Sequence, residues 1–267
     1  MNFLKKAFIG AVAALALASS AQATNTNAGG VVWDPDYNAG TESDFISQFA
    51  FTQWFTTSAT AIDTLTFGGA ASIGSVLSTL GGAGSTGYYL QGAGLVNRIN
   101  DASNNIAAGF GTAGSFCPGC QLTYAFGGIG LNKDSSFDLT NAWARLYVDT
   151  TTVAGTPVNS QASANNYVDG QVWLDLKFTD LQFLSGGVQF GYVGGNFDII
   201  GGSAATSFNP GKLSYGGSTQ FLSLADAYSK GGNGQALGNS VPEPGSMALV
   251  GLGLLAAGAL RRRQASK

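Results

Sequence analysis

The sequence predicts an all-β domain, a β-sandwich or jelly-roll-like fold, flanked by an N-terminal signal peptide and a single C-terminal hydrophobic helix. Short segments of alternating polar and apolar residues recur through the second half of the chain, and this period of two is typical of half-buried strands. The chain has 40 glycines, many of them between those segments. Apolar residues make up 45% of the chain, enough to form a core.

The first 23 residues have the pattern of a secretory signal peptide. Lys5 and Lys6 precede an apolar run at 7–18, and Ala21-Gln22-Ala23 has the small-x-small form that signal peptidase accepts. As a helix the run rises only about 18 Å, too short for a hydrocarbon core of ~30 Å. We therefore expect signal peptidase to cleave after Ala23.

Residues 24–230 are predicted to form a β-rich extracellular domain. Ala144 and Leu146 alternate with Trp143 and Arg145, so one face of this strand is expected in the core. The first half of the domain is less regular, and residues 65–80 suit a strand or a short helix. Alternation predicts strands at 143–149, 172–178, 188–193 and 197–200, the last two forming a hairpin around Gly194-Gly195-Asn196. The glycine-rich residues 231–240 are predicted to be a flexible linker.

Residues 241–267 contain a helix-breaking tripeptide, then an apolar segment, then a cluster of basic residues that would stop transfer across the membrane. Pro242-Glu243-Pro244 precedes an apolar run at 247–260, and Arg261, Arg262 and Arg263 follow it. The run spans about 21 Å as a helix and contains glycines, so it suits a temporary anchor better than a lasting one. By the positive-inside rule the arginines stay in the cytoplasm and the preceding domain lies outside.

In these features residues 241–267 resemble the PEP-CTERM family. The resemblance implies recognition by an exosortase, a membrane-embedded cysteine protease or transpeptidase of Gram-negative bacteria that make exopolysaccharide, which removes the tail. The implied route is a transient inner-membrane intermediate, followed by the cell surface or the extracellular matrix. The alternative is an ordinary single-pass anchor that stays attached.

Composition excludes several kinds of function. The chain has no histidine, which removes Ser-His-Asp and Cys-His catalysis and the commonest metal ligand. Residues 24–243 hold six of the 12 Lys and Arg residues and all 15 Asp and Glu residues, a net charge of −9. This acidic balance argues against nucleic acid as a partner. We expect no enzymatic activity and no cofactor, although two facing carboxylates of a glycoside hydrolase would leave no signature in sequence spacing.

Two local motifs suggest sites. Cys117-Pro118-Gly119-Cys120 suits a tight turn closed by a structural disulfide, since Pro and Gly fit its two central positions; a redox motif is the alternative. Asp34, Asp36 and Asn38 place oxygen atoms at alternate positions before Gly40, which resembles part of a calcium loop. An ordinary Asp/Asn/Pro turn explains them better.

The predicted function is that of a non-enzymatic surface or matrix component. It would support aggregation, floc or biofilm formation through exopolysaccharide or through self-association, for example at exposed strand edges. The alternative is a carbohydrate-binding module that stacks sugar rings on Trp143, Tyr147 and Trp173, although such side chains more often close a core. A glycan-active enzyme is the third hypothesis.

Overall fold

Eight long antiparallel strands form the framework of the computed structural model, which describes residues 25–35, 37, 44–103, 106–107, 110–154 and 157–241. Six short strands and two five-residue helices accompany them. In chain order the strands are β1 (Thr26–Ala28), β2 (Val31–Trp33), β3 (Phe45–Thr56), β4 (Ser85–Ile99), β5 (Ala102–Ser103), β6 (Ile106–Ala107), β7 (Phe110–Gly111), β8 (Gln121–Asn132), β9 (Phe137–Asp138), β10 (Trp143–Asp149), β11 (Gln171–Gly186), β12 (Phe190–Gly201), β13 (Phe208–Gln220) and β14 (Gly232–Ser240). The helices are α1 (Ile73–Leu77) and α2 (Gln161–Asn165), and a 3₁₀ turn covers Ala205–Ser207.

The eight long strands form one closed sheet. Each pairs with the next long strand along the chain, β4 with β8 included, and the last strand, β14, pairs with the first, β3, for example Gln235 with Gln48. The predicted β-sandwich or jelly roll is therefore wrong, because a single sheet curls into an eight-stranded up-and-down barrel. Strand periodicity is the same in both architectures; the difference lies in which distant strands pair.

The strand that closes the barrel is the segment predicted to be a flexible linker. Residues 232–240 pair with β13 on one side and β3 on the other, so the linker prediction is wrong. The small residues of β14 point inward and leave room for the rings of β3. A Cβ on Gly234 would lie 2.5 Å from Cε2 of Phe49, and one on Gly232 would lie 2.6 Å from Cε2 of Phe51.

The predicted hairpin at Gly194-Gly195-Asn196 is also wrong. These residues lie inside β12, where Gly194 pairs with Gln182 on one side and with Gly216 on the other. Here glycine serves close packing, since a Cβ on Gly194 would lie 2.5 Å from Cδ1 of Leu184. The turn between β11 and β12 occurs earlier, at residues 187–189.

Two apolar clusters hold the barrel together. The first fills the interior and includes Phe45, Phe49, Phe51, Phe55 and Tyr124. Trp33 of the β1–β2 hairpin also belongs to this interior cluster. Its ring contacts the rings of Phe45, Trp173 and Phe208.

The second cluster lies on the outer face of β3, β4, β8 and β10, under the loops at 57–84 and 150–170. Trp54 donates a hydrogen bond from Nε1 to the carbonyl of Thr66, at 2.8 Å, and Nε2 of Gln161 joins the two loops by donating to the carbonyl of Leu65, at 2.7 Å. These loops cover that part of the barrel wall.

No helix among the described residues is long and apolar enough to cross a membrane. The predicted hydrophobic helix at 247–260 and the signal peptide at 1–23 lie outside the described residues.

Candidate functional site

A groove of about 450 Å³ crosses the outer face of β3, β14, β13 and β12, on the wall that the two long loops leave open. Gln235 forms its centre, since it pairs with Gln48 on one side and with Gly216 on the other. We call this feature the amide groove. Besides Phe49 and the glycines Gly216 and Gly234, it is lined by Gln48, Asn97, Tyr192, Asn233 and Gln235.

Tyr192 forms the wall of the amide groove opposite the amides. Its side chain is 39% exposed, and its hydroxyl lies against the bare backbone of Gly216. Any side chain at Gly216 would overlap that hydroxyl, so the glycine sets the position of the tyrosine.

Four large apolar side chains are exposed at the end of the barrel beside the groove. We call them the apolar rim: Leu184, Phe190, Leu222 and Leu224 are 56%, 66%, 64% and 57% exposed. Phe190 begins β12 opposite Gln220, and Leu222 follows two residues later. Tyr192 lies on the same face of β12 as Phe190 and so connects the rim to the groove.

An ionic cluster fixes the loop at 57–84 to the barrel. Arg145 donates to both carboxylate oxygens of Asp175, at 3.0 and 2.6 Å, and to Asp63, at 2.6 Å. Tyr147 donates its hydroxyl to Asp63. The hydrogen bond to Asp175 raises the pKa of Arg145, and burial raises the pKa of Tyr147. The arginine therefore stays charged and engages both carboxylates, which suits a structural role.

A second carboxyl pair lies at the base of the loop between β10 and β11. Asp149 is buried, and its Oδ1 accepts from the backbone N–H groups of Thr151 and Thr152, at 2.8 and 3.1 Å. Burial, together with the charge of Asp149, raises the pKa of Asp169. Glycoside hydrolases hold their carboxyls about 5–9.5 Å apart, with space for a sugar ring between them. Because Asp149 is buried, these two carboxyls do not face each other across an open cleft.

The barrel interior is an apolar core that keeps a cavity of about 90 Å³, lined mainly by aromatic and aliphatic side chains. Sites for small molecules usually measure about 300–1,000 Å³, so the amide groove has the size of a binding site and the interior cavity does not.

The aromatic side chains predicted to stack sugars are buried. Trp143 and Tyr147 lie under the loop at 57–84, and Trp173 donates from Nε1 to the carbonyl of Ala28, at 2.8 Å. Their exposed fractions are 3%, 1% and 0%. The other interpretation of these residues, that they close a core, is confirmed.

Cys117 and Cys120 lie at disulfide-bonding distance, with Cα atoms 5.2 Å apart. The predicted turn is confirmed, since Gly119 has φ +74° and the N–H of Cys120 donates to the carbonyl of Cys117, at 3.1 Å. Both cysteines are buried beside the β1–β2 hairpin, where the N–H of Val32 donates to the carbonyl of Phe116.

The calcium-loop residues are only partly described. The carbonyl of Asp34 accepts from Nδ2 of Asn100, at 2.9 Å, and from the N–H of Tyr37, at 3.4 Å, as in a turn. Asp36 and Asn38 lie outside the described residues. Among the described residues, no three His, Cys, Asp or Glu side chains are grouped so that they could hold a metal ion.

The end of the described chain leads directly into the C-terminal signal. Asp44 accepts from the backbone N–H of Ser240, at 2.6 Å, and the N–H of Val241 donates to the carbonyl of Ser207, at 2.9 Å. Residues 240–263 match the family described as the PEP-CTERM protein-sorting motif. The chain carries a PEP-CTERM sorting motif. No curated protein and no solved structure matches the chain.

The sorting motif makes this protein an exported substrate of an exosortase, as the sequence predicted. Its predicted recognition residues Pro242, Glu243, Pro244 and Arg261–Arg263 lie within the matched range but outside the described residues, as does Ala23. Cleavage at either end stays a prediction. Since β14 ends at Ser240, the barrel strands are complete before the Pro-Glu-Pro tripeptide.

Sequence reasoning missed the amide groove. Asn233 and Gln235 alternate with glycines, a pattern that would indicate the outer face of a strand if residues 232–240 were taken as one. Because their neighbours are glycines, this segment was predicted to be a flexible linker instead. The partners in the groove come from strands distant in sequence, such as Gln48, so no local pattern could have grouped them.

Proposed function

We propose that this protein is a non-enzymatic component of the cell surface or extracellular matrix that supports aggregation, floc or biofilm formation in association with exopolysaccharide. The sorting motif supports its delivery outside the cell. The observation that carries the proposal is the apolar rim, because four large exposed apolar side chains at one end of a folded exported domain are typical of a contact surface.

The closed barrel leaves few strand edges for self-association. Each long strand has a long neighbour on both sides, although residues 177–186 of β11 pair only with β12. Contacts between copies would therefore rely mainly on side chains. Burying one Leu or Phe fully is worth about 1.5–3 kcal/mol, so partial burial of the rim gives weak contacts. Many copies on one surface or polymer turn weak contacts into firm adhesion.

A carbohydrate-binding module is the second candidate, and the amide groove favours it. The groove has the volume of a ligand site and lies on the same exposed wall as the rim. The two candidates are compatible, since a protein that binds the polymer and its own copies would cross-link a matrix.

The experiment compares aggregation in four strains: wild type, a deletion, and the deletion complemented with a rim variant or a control variant. The rim variant combines Phe190→Ser with Leu222→Ser. The control is Ile200→Ser, which removes an exposed apolar side chain (60% exposed) near the opposite end of β12. Immunoblots of the extracellular fraction confirm equal export.

We expect the deletion and the rim variant to settle as smaller flocs, with unchanged growth, and the control to behave as wild type. Aggregation of the rim variant at the wild-type level would overturn the role of the rim, and wild-type aggregation in the deletion strain would overturn the proposed function. In a strain without exosortase, we expect the protein to accumulate in the inner membrane instead of outside.

A further inference from the structure

We infer that the amide groove binds a neutral polysaccharide, with Tyr192 against the face of one sugar ring. This inference rests on the proposed function, because it names the chemical class of polymer that the exported protein would hold. It concerns the groove alone and not the apolar rim.

The polar lining of the groove suits hydroxyl groups. Each amide offers both donors and an acceptor, as a sugar hydroxyl does, whereas a carboxylate only accepts and an ammonium group only donates. The side chains of Gln48, Asn97 and Gln235 are exposed and make no hydrogen bond to another described residue. Asn233 donates from Nδ2 to the carbonyl of Gly231, at 2.9 Å, which leaves its Oδ1 as an acceptor.

The described lining of the groove carries no charge. The described residues that line it include no Asp, Glu, Lys or Arg, although Arg98 lies next to Asn97 in the chain. The domain as a whole is acidic, so an anionic polymer would meet repulsion without a local cation to offset it. A neutral polymer meets neither obstacle.

Tyr192 provides the apolar surface that the C–H face of a sugar ring needs. Its ring is partly exposed, and its hydroxyl is placed by Gly216 between the ring and the amides of β14 and β3. An aromatic wall opposite a row of amides covers both the apolar face and the hydroxyl edge of a pyranose. Gly216 is a positioning residue here, since a larger side chain would push Tyr192 away from the groove.

The test measures binding of the exported protein, purified in its mature form, to exopolysaccharide isolated from the producing strain. Three groove variants are compared with wild type: Tyr192→Ala, Gln235→Glu and Gly216→Val. The matched control is Gln171→Glu, the same chemical change at an exposed position of β11 outside the groove. Circular dichroism and thermal melting confirm that each variant is folded, and Tyr192→Ala keeps the test informative if Gly216→Val fails to fold.

We expect Tyr192→Ala and Gln235→Glu each to weaken binding about tenfold or more and Gln171→Glu to bind as wild type. Binding should persist in about 0.5 M salt, where interactions between exposed charges are screened. Absence of binding by wild type, equal binding by the groove variants, or loss of binding in salt would each overturn the inference.

The same experiment separates this inference from the proposed function. If the groove variants keep their binding but rim variants fail to aggregate cells, the inference falls and the proposed function stands. If wild type binds the polymer through the groove while the deletion strain aggregates normally, the proposed function falls and the groove assignment stands.

Discussion

Replacing Gly234 with valine tests the closure of the barrel by β14. Gly234 faces inward, and a Cβ at this position would lie 2.5 Å from Cε2 of Phe49 and 3.0 Å from the carbonyl oxygen of Gly216. Phe49 cannot move aside easily, because its ring stacks on Tyr215 at 5.7 Å and packs against Tyr124 at 4.9 Å. The two methyl groups of valine add further overlap.

We expect Gly234→Val to be less stable because it overpacks the core. Overpacking typically lowers the free energy of unfolding by about 1–3 kcal/mol. For a domain of this size, 1 kcal/mol corresponds to about 2–4 °C, so Gly234→Val should lower the melting temperature by about 2–12 °C. The measurement is thermal unfolding followed by near-ultraviolet circular dichroism.

The matched control is Gly201→Val, the same change near the end of β12. Gly201 pairs with Asp175, and among the described residues the only atom within 4 Å of a Cβ there is Cβ of Asp175, at 3.6 Å. This control accounts for the loss of glycine flexibility that both variants share. If Gly234→Val melts at or above the temperature of Gly201→Val, β14 does not close the barrel in this register.

Three further predictions concern the loop base, the cysteines and the tail. Because the raised pKa of Asp169 reflects a carboxylate destabilised by burial and by Asp149, Asp169→Asn should raise the melting temperature at pH 7. That gain should vanish at acid pH, where the native carboxyl is protonated; an equal gain at both pH values contradicts the reasoning. Cys117 and Cys120 should resist alkylation in the native, unreduced exported protein, and reaction of both thiols would count against the disulfide. Peptides from residues 261–267 should be absent from the extracellular fraction by mass spectrometry, and finding them there would show that the tail is retained.

Local patterns in the sequence predicted the strands and their faces well. Residues 143–149 were predicted as a strand with one face in the core, and the structure places Ala144 and Val148 in the interior cluster while Trp143 and Tyr147 lie on the outer face. Period-two alternation reports the two faces of a strand directly, so it needs no knowledge of distant partners.

The architecture needed information that no single segment contains. Closure depends on the pairing of β14 with β3, almost two hundred residues apart, as in Gln235 with Gln48. Glycine also has two structural roles that the sequence alone does not distinguish. Gly119 serves a turn and has positive φ, whereas Gly194 and Gly234 lie in strands and make room for Leu184 and Phe49.

The prediction that Trp143 and Tyr147 are exposed was wrong for a related reason. The strand pattern put Trp143 and Tyr147 on the face away from the barrel interior, which is correct, but the loop at 57–84 covers that face. Strand alternation cannot predict such a cover, because the covering loop has no regular period. The aromatic wall of the groove is instead formed by Tyr192, within the segment predicted as a hairpin.

Light scattering of the exopolysaccharide mixed with the purified exported protein distinguishes a matrix component from an enzyme, because an assembling protein and an enzyme change the molar mass of the polymer in opposite directions. We expect the molar mass to rise with added protein, through contacts between copies and with the polymer, and to rise less with the Phe190→Ser and Leu222→Ser double variant. A falling molar mass would reveal chain cleavage, and an unchanged molar mass would show that the protein does not assemble on the polymer; neither result is compatible with a matrix component.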